Sequence, residues 1–323
     1  MMLRSVLLVF CFIFNSVYCY GATILVIKSY HAENPWDTSY KQALEAALNA
    51  EHDMFYFEMD TKRLPESQYL AQADAAWQLY NKLKPALVIL GDDNALKYMG
   101  PKLTATQTPV VYLGINANPR NYGVTQKDQI SGVLERPLLK RSMVMLNAIL
   151  PIKKLLVLFD SASTSKVIRE DSFNNQDSLT LNGIQIDLKF IDNYSQWQSL
   201  VLSAKQQNYD AMIVGLYQAL FDDSGNHVDP EQVIEWTSTH AQVPPFGFWD
   251  FSVGEQKTIG GFVISGYEQG LLASQIALQM LAGKHAIKIQ TSEQGHFLFS
   301  KNQLAKWKIV LPPEIDDKSE KVN

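Results

Sequence analysis

Between Lys28 and Asp37 the chain reads Lys-Ser-Tyr-His-Ala-Glu-Asn-Pro-Trp-Asp. Ser29, Tyr30, His31, Glu33, Asn34 and Asp37 carry hydrogen-bonding groups, and Tyr30 and Trp36 carry flat apolar faces, a mixture that could hold a small polar molecule and stack on it. The alternative is that Trp36 packs on the core and Asp37 caps the next helix. Five more stretches share this chemistry: Gly91-Asp92-Asp93-Asn94, Gly114 to Asn116, Asp160 to Ser165, Gly215 to Gln218 and Phe248 to Asp250. Asp92, Asp93 and Asp250 could receive an amine, or Asp92 or Asp93 could cap the following helix. Ser161, Ser163 and Thr164 at a helix start could hold a carboxylate, or could serve as ordinary N-caps. Tyr30, Trp36, Tyr217, Phe248 and Trp249 could form aromatic walls, and Gln218 and Asn116 could contribute amides.

Each of these stretches follows an apolar run. Thr23–Ile27, Pro85–Leu90, Thr108–Leu113, Lys153–Phe159, Tyr209–Val214 and Pro244–Trp249 are of strand length. Helix-like segments with a 3.6-residue apolar stripe alternate with them, as at Tyr40, Ala43, Leu44, Ala47 and Leu48. Continuous apolar strands alternating with helices predict a parallel sheet covered on both faces. Ligands bind such sheets outside the carboxyl ends of the strands. The pattern begins again at Lys153, so two similar α/β lobes are expected. Ala95–Met99 reads as a short helix, Lys166–Asn182 as a longer one, Lys288–Thr291 and Gly295–Phe299 as closing strands, and the charged Asp316–Asn323 as a frayed end.

Met1 to Arg4 is short and basic, Val6 to Phe14 apolar, and Val17 to Ala22 resembles a cleavage region, so residues 1–21 read as a secretory signal peptide. Lipidation would use Cys19, but Tyr18 is bulky where that signal wants a small residue. Both cysteines, Cys11 and Cys19, fall in this segment, leaving a mature chain with no thiol. Without Arg4, 27 basic residues face 33 acidic ones, a net charge of −6 that argues against nucleic acid and anionic membrane as partners. No later stretch is apolar enough to span a bilayer. A soluble periplasmic protein is expected.

Catalytic signatures are missing. The sequence has no G-x-G-x-x-G, P-loop, G-x-S-x-G or H-E-x-x-H pattern. His31, His52, His227, His240, His285 and His296 lack metal-ligand spacing, and Asp222 to Asn226 reads as a turn rather than a calcium loop. No cofactor or metal is expected, and an exported hydrolase using His31, Asp92 and Asp93 is the weaker alternative.

Pro85–Gly91, Thr108–Gly114, Ser131-Gly132-Val133, Leu150-Pro151, Tyr267–Gly270, Leu281–Lys284 and Leu311-Pro312 stand in an order and spacing that resembles the substrate-binding proteins of ABC transporters, in the branch that includes tryptophan and other amino-acid binders. The resemblance implies a type I periplasmic binding fold: two Rossmann-like lobes with parallel sheets, joined by hinge strands and holding a ligand in the cleft. It places one lobe at residues 22–135 plus about 263–290 and the other at 136–262, with 291–323 forming closing strands and a tail. It implies closure on an amino acid or a related aromatic or carboxylate compound, and a membrane permease as partner. The Ser-Tyr-His…Pro-Trp loop is longer than is usual in that branch and looks more like the related domains of sensor kinases and diguanylate cyclases. A sensory subunit is therefore the alternative.

Overall fold

The computed structural model describes residues 21–125, 127–136, 139–291 and 295–323. The segment expected to be a signal peptide lies outside these, apart from Gly21. In chain order the elements are β1 (Thr23–Lys28), α1 (Pro35–Leu48), β2 (Asp53–Glu58), α2 (Tyr69–Leu83), β3 (Leu87–Gly91), α3 (Asp92–Thr104), β4 (Val110–Ile115), β5 (Ile130–Leu134) and α4 (Leu139–Ile149). There follow β6 (Lys154–Asp160), α5 (Ser163–Phe173), β7 (Ser178–Leu181), β8 (Ile184–Ile191), α6 (Tyr194–Ser203), β9 (Ala211–Val214), α7 (Pro230–His240) and β10 (Pro245–Gly247). The chain ends with β11 (Gly260–Val263), α8 (Gly266–Leu281), β12 (Gln290–Thr291), β13 (His296–Ser300), α9 (Lys301–Trp307), α10 (Pro313–Asp316) and β14 (Ser319–Val322).

Two α/β lobes result, each built on a parallel sheet. The first has strand order β12-β5-β4-β3-β1-β2, all neighbours parallel. The second has order β10-β9-β6-β8-β7, parallel except at the β7–β8 edge. β3, β4 and β9 are buried at every position, because helices cover both faces and leave no side for polar residues. A small third sheet, β11-β13-β14, packs beside β10 and α4. The chain leaves the first sheet after Leu134, returns through α8 after Val263, and departs again from β12 to β13.

Local chemistry sets the helix ends that matter. Asn34 caps α1, its side-chain oxygen accepting from the amides of Trp36 at 3.2 Å and Asp37 at 3.3 Å, with Pro35 in the first turn where it needs no donor. α1 packs against α8 at close range. A Cβ on Gly270 would stand 2.5 Å from the carbonyl oxygen of Tyr40, so only glycine permits the approach.

Three expectations differ from the structure. The segment 178–182 is not helical: α5 stops at Phe173, and β7 pairs back on β8 around Asn182-Gly183. The helix expected at Ala95–Met99 runs from Asp92 to Thr104. The tail is ordered, since β14 lies parallel to β13 in register Phe297–Ser319 to Ser300–Val322. Its backbone finds a ladder although its side chains are mostly polar.

Candidate functional site

The carboxyl ends of β1, β3, β4 and β5 meet those of β6, β9 and β10 across the cleft, and a small, tightly lined cavity lies between them. Tyr30, Trp36, Trp249 and Phe251 supply its aromatic walls, with Leu216 beside them. Asp92, Glu135 and Lys62 supply charge, and Asn34, Asn116, Thr164 and Gln218 supply neutral polar groups.

The two lobes touch at this point. The Tyr30 hydroxyl and Thr164 Oγ1 are 2.9 Å apart, and Asn94 Nδ2 donates to Ser163 Oγ at 3.3 Å. Trp249 Nε1 donates to Glu135 Oε1 at 2.5 Å, while Asn116 Nδ2 reaches Glu135 Oε2 at 3.3 Å. Glu135 directly follows β5, at the first exit from that sheet, and is 3% exposed.

Asp92 is the first residue of α3 and has φ +72°, the left-handed region that a side-chain-bearing residue enters at a cost of about 1–2 kcal/mol. Strain of this kind collects at functional sites. The conformation brings Asp92 Oδ1 to 2.7 Å from the Asp93 amide and sets the carboxylate in the cavity wall. Burial, followed by the Asp93 charge, pushes Asp92 up to about 7. Burial also holds Glu135 well above the ordinary carboxylate range, with Asp92 adding to the effect. Behind the wall, burial raises Asp37 as well, against the pull of Lys28. Lys62 is 6% exposed, its Nζ lies 4.9 Å from the Tyr30 ring centroid, and that nitrogen has no hydrogen-bond partner.

A pH dependence with a definite sign follows. In the unfolded chain Asp92 titrates near the ordinary value of about 4, and in the unliganded fold near 7. Below the lower value both states hold the proton; between the two only the folded state does, so stability declines as pH rises through this window. Glu135 and Asp37 act in the same direction. Asp222 and Asp223, held low by hydrogen bonds, titrate beneath the window, and His31, which burial lowers, opposes the three buried carboxyls within it. The melting temperature of the unliganded protein is therefore expected to rise between pH 7.5 and pH 5.5, and Asp92→Asn to flatten the slope; differential scanning fluorimetry across buffers measures both.

Tyr30, Trp36, Asp92, Asn116, Thr164, Gln218 and Trp249 stand in the cavity wall. The other expected site residues do not. Ser29 is fully buried and fastens β1 to the start of α3, donating to the Gly91 carbonyl at 2.7 Å and accepting from the Ala95 amide at 2.8 Å. Gly91 faces Tyr40, whose hydroxyl would stand 2.3 Å from a Cβ. His31 turns to Asp60, Nδ1 to Oδ1 3.4 Å. Asp93 is occupied by the amides of Asn116 and Ala117 and by the Tyr122 hydroxyl, each at 3.0 Å, and so orients the loop after β4. Tyr217 and Phe248 point into the core, and Asp250 turns towards Ser265. Leu216 and Gln218 face the cavity while Tyr217 does not; beyond β10, Trp249 and Phe251 face it while Phe248 and Asp250 do not, because the short 3-10 turn Asp250–Ser252 brings Phe251 back towards the cavity.

Asn94, Ser161 and Ser163 border a larger space of about 520 Å³, together with Asp93, Lys97 and Lys166. Lys62 borders both spaces. The sequence reading missed Lys62, Glu135 and Phe251 as wall residues. Lys62 and Glu135 lie just after β2 and β5, where the strand-end rule would have found them had those loops been included. Among the described residues no group of three or more His, Asp or Glu could hold a metal ion, and no helix is long and apolar enough to cross a membrane.

No protein-family model matches the sequence, nor does any curated protein. Solved structures do match the fold. An ABC domain from Streptococcus pneumoniae in complex with L-Trp superposes with TM-score 0.67 at 14% identity, covering 94% of this chain and 100% of that one. A conserved domain protein from Vibrio cholerae gives 0.66 at 15%, covering 94% and 99%. The ligand-free, open form of a substrate-binding protein with adhesive properties from Clostridium difficile gives 0.64 at 13%, covering 94% and 100%. The fold is that of the type I periplasmic binding proteins, and at these identities the likeness extends to the fold alone.

Proposed function

We propose that the protein is a periplasmic solute-binding protein that closes its two lobes around a small organic molecule bearing a protonated amine beside an aromatic or apolar body, an amino acid or a related compound. One observation carries the reading: two buried carboxyl groups, Asp92 and Glu135, stand in the wall of an aromatic cavity between the lobes. A buried carboxylate is costly unless paired, and a bound ammonium supplies the missing charge. Trp36, Trp249, Phe251 and Tyr30 favour a flat body and attract a cation through their ring faces. The lobe boundaries implied by the family resemblance, 22–135 with about 263–290 against 136–262, put the cavity at the hinge side of the cleft, where bending of the connections would open it.

The closed form is presented to the membrane permease of an ABC importer. A membrane sensor protein is the second reading, favoured by the Ser29–Asp37 loop and its resemblance to sensor domains. A thermal-shift screen tests the core of the proposal, because a ligand that binds only the folded state raises the melting temperature. Aromatic amino acids and aromatic amines are expected to raise it by several degrees, and neutral sugars to leave it unchanged. A shift produced by sugars and by no amine would refute the assignment.

A further inference from the structure

α8 and α1 run parallel on one face of the first sheet, Gly266 lying against the Trp36 carbonyl and Gly270 against that of Tyr40. On the side of α8 turned away from the sheet, Tyr267, Leu271, Gln275, Leu278 and Ala282 are exposed at intervals of three and four residues and so form one stripe. Its large apolar members, Tyr267, Leu271 and Leu278, are 40%, 37% and 39% exposed. The neighbouring outward row of α1 is Gln42, Ala46 and Asn49. None of these residues is charged, in a chain of which 19% is. The charges that α1 does carry at its middle, Lys41 and Glu45, pair with each other at 3.6 Å and turn to Tyr56 of β2. An exposed surface that combines large apolar side chains with a lack of charge has the make-up of an interface core.

The charges stand at the two ends of the stripe and are opposite in sign. Glu268, the only charged residue of α8, lies in its first turn, while Lys284, His285 and Lys288 follow its last turn and are exposed. Leu271 and Leu278 flank the midpoint between Ser274 and Gln275 equally, and so do Tyr267 and Ala282. A second α8 laid antiparallel across that midpoint sets Leu271 against Leu278 of the other copy and Tyr267 over the small Ala282. It also brings the Glu268 end of each helix to the Lys284 end of the other. A parallel pairing would set acid on acid and base on base, so the two-fold antiparallel arrangement is the one that the charges favour.

We propose that the outer faces of α8 and α1 bind a second copy of this chain, with the two α8 helices antiparallel about a two-fold axis near Ser274 and Gln275. The interface is independent of the solute, because no residue of the stripe lines the cavity. Its position decides what pairing does to the molecule. On the inner side of α8, Gln269 accepts from the Gly114 amide at 3.1 Å and donates to the Leu134 carbonyl at 3.4 Å, so it ties together the ends of β4 and β5. Pairing through α8 therefore joins two first lobes back to back and steadies the strand ends that carry Asn116 and Glu135. The second lobes contribute nothing to the stripe and stay free to move.

Sedimentation velocity of the full chain at about 1 µM and about 50 µM reads the equilibrium. A dimer population that grows with concentration is expected, and Leu271→Glu should abolish it by burying an unpaired charge against the other copy. Leu271 is exposed in the single chain, so circular dichroism of this variant should match the wild type. Glu268→Lys or Lys284→Glu alone should raise the dimer Kd by roughly 10-fold, since each reversal counts twice across the axis, and the two together should return it to within roughly 3-fold of the wild type. With Cys11→Ser and Cys19→Ser removing the native thiols, Gln275→Cys at the axis should cross-link two chains under mild oxidation. Gln78→Cys, exposed on α2, should not. A monomer at both concentrations, a dimer unmoved by Leu271→Glu, or charge reversals that do not compensate one another would each overturn the arrangement.

Discussion

Asp92→Asn is expected to lower the affinity for L-tryptophan or tryptamine by at least about 30-fold, while raising the melting temperature of the unliganded protein at pH 7.5. The first effect is the loss of a buried charge partner, which commonly weakens binding by about 2–5 kcal/mol. The second has the opposite sign because burial and the neighbouring Asp93 charge outweigh the help that Tyr30 and Lys62 give the ionised carboxylate, which is therefore a burden on the unliganded fold. The amide keeps an oxygen to accept from the Asp93 amide, so the start of α3 is preserved. Calorimetric titration and scanning fluorimetry on the same preparation read both effects. Unchanged affinity would place the amine elsewhere, and a lower melting temperature would make Asp92 a structural partner of Lys62.

Gly91→Ala should be the most damaging conservative change near the cavity, although it touches no solute. The added Cβ would meet the Tyr40 hydroxyl at 2.3 Å and its ring carbon at 2.8 Å. Tyr40 is fully buried, with its hydroxyl close to Asp37, so it has no free direction in which to move. Overpacking of this kind costs about 1–3 kcal/mol. The shift falls on the peptide that carries Asp92, so solute affinity should decline together with stability. Tyr40→Phe in the same chain removes the nearer contact and should restore part of the loss; no recovery would mean that the ring, not the hydroxyl, sets the limit. Chemical denaturation of the single and double variants gives the coupling energy.

These variants also mark where sequence reasoning succeeds. β1, β3 and β4 are legible because strands covered on both faces become uninterrupted apolar runs, and the strand-end rule then points to Tyr30, Trp36, Asp92 and Asn116. Lys62 and Glu135 resemble surface residues in the sequence. They are buried through contacts with segments far apart in the chain: Tyr30 for Lys62, and Asn116 and Trp249 for Glu135. Tyr217 and Phe248 are misjudged for a local reason, since adjacent side chains there point to different sides and residue type alone does not say which faces the cavity. The β7–β8 hairpin had a readable signal in Asn182-Gly183, a strong two-residue turn. β14 had none, because a polar edge strand is held mostly through its backbone.

The close seating of α8 on α1 bears on the order in which the molecule can assemble. Trp36, Tyr40, Ala43 and Leu44 belong to a helix made early, but the glycine-bearing face that covers it, with Gly266 and Gly270, is made only after the whole second sheet has been synthesised. Until then the first sheet lacks both a covering helix and its edge strand β12. A nascent chain at that stage can complete its second lobe while the first remains an open, sticky half, the kind of species that a holding chaperone recognises. Stalling synthesis before residue 266 should therefore leave the strand ends that carry Tyr30 and Asp92 without a stable frame, however well formed the rest of the chain has become.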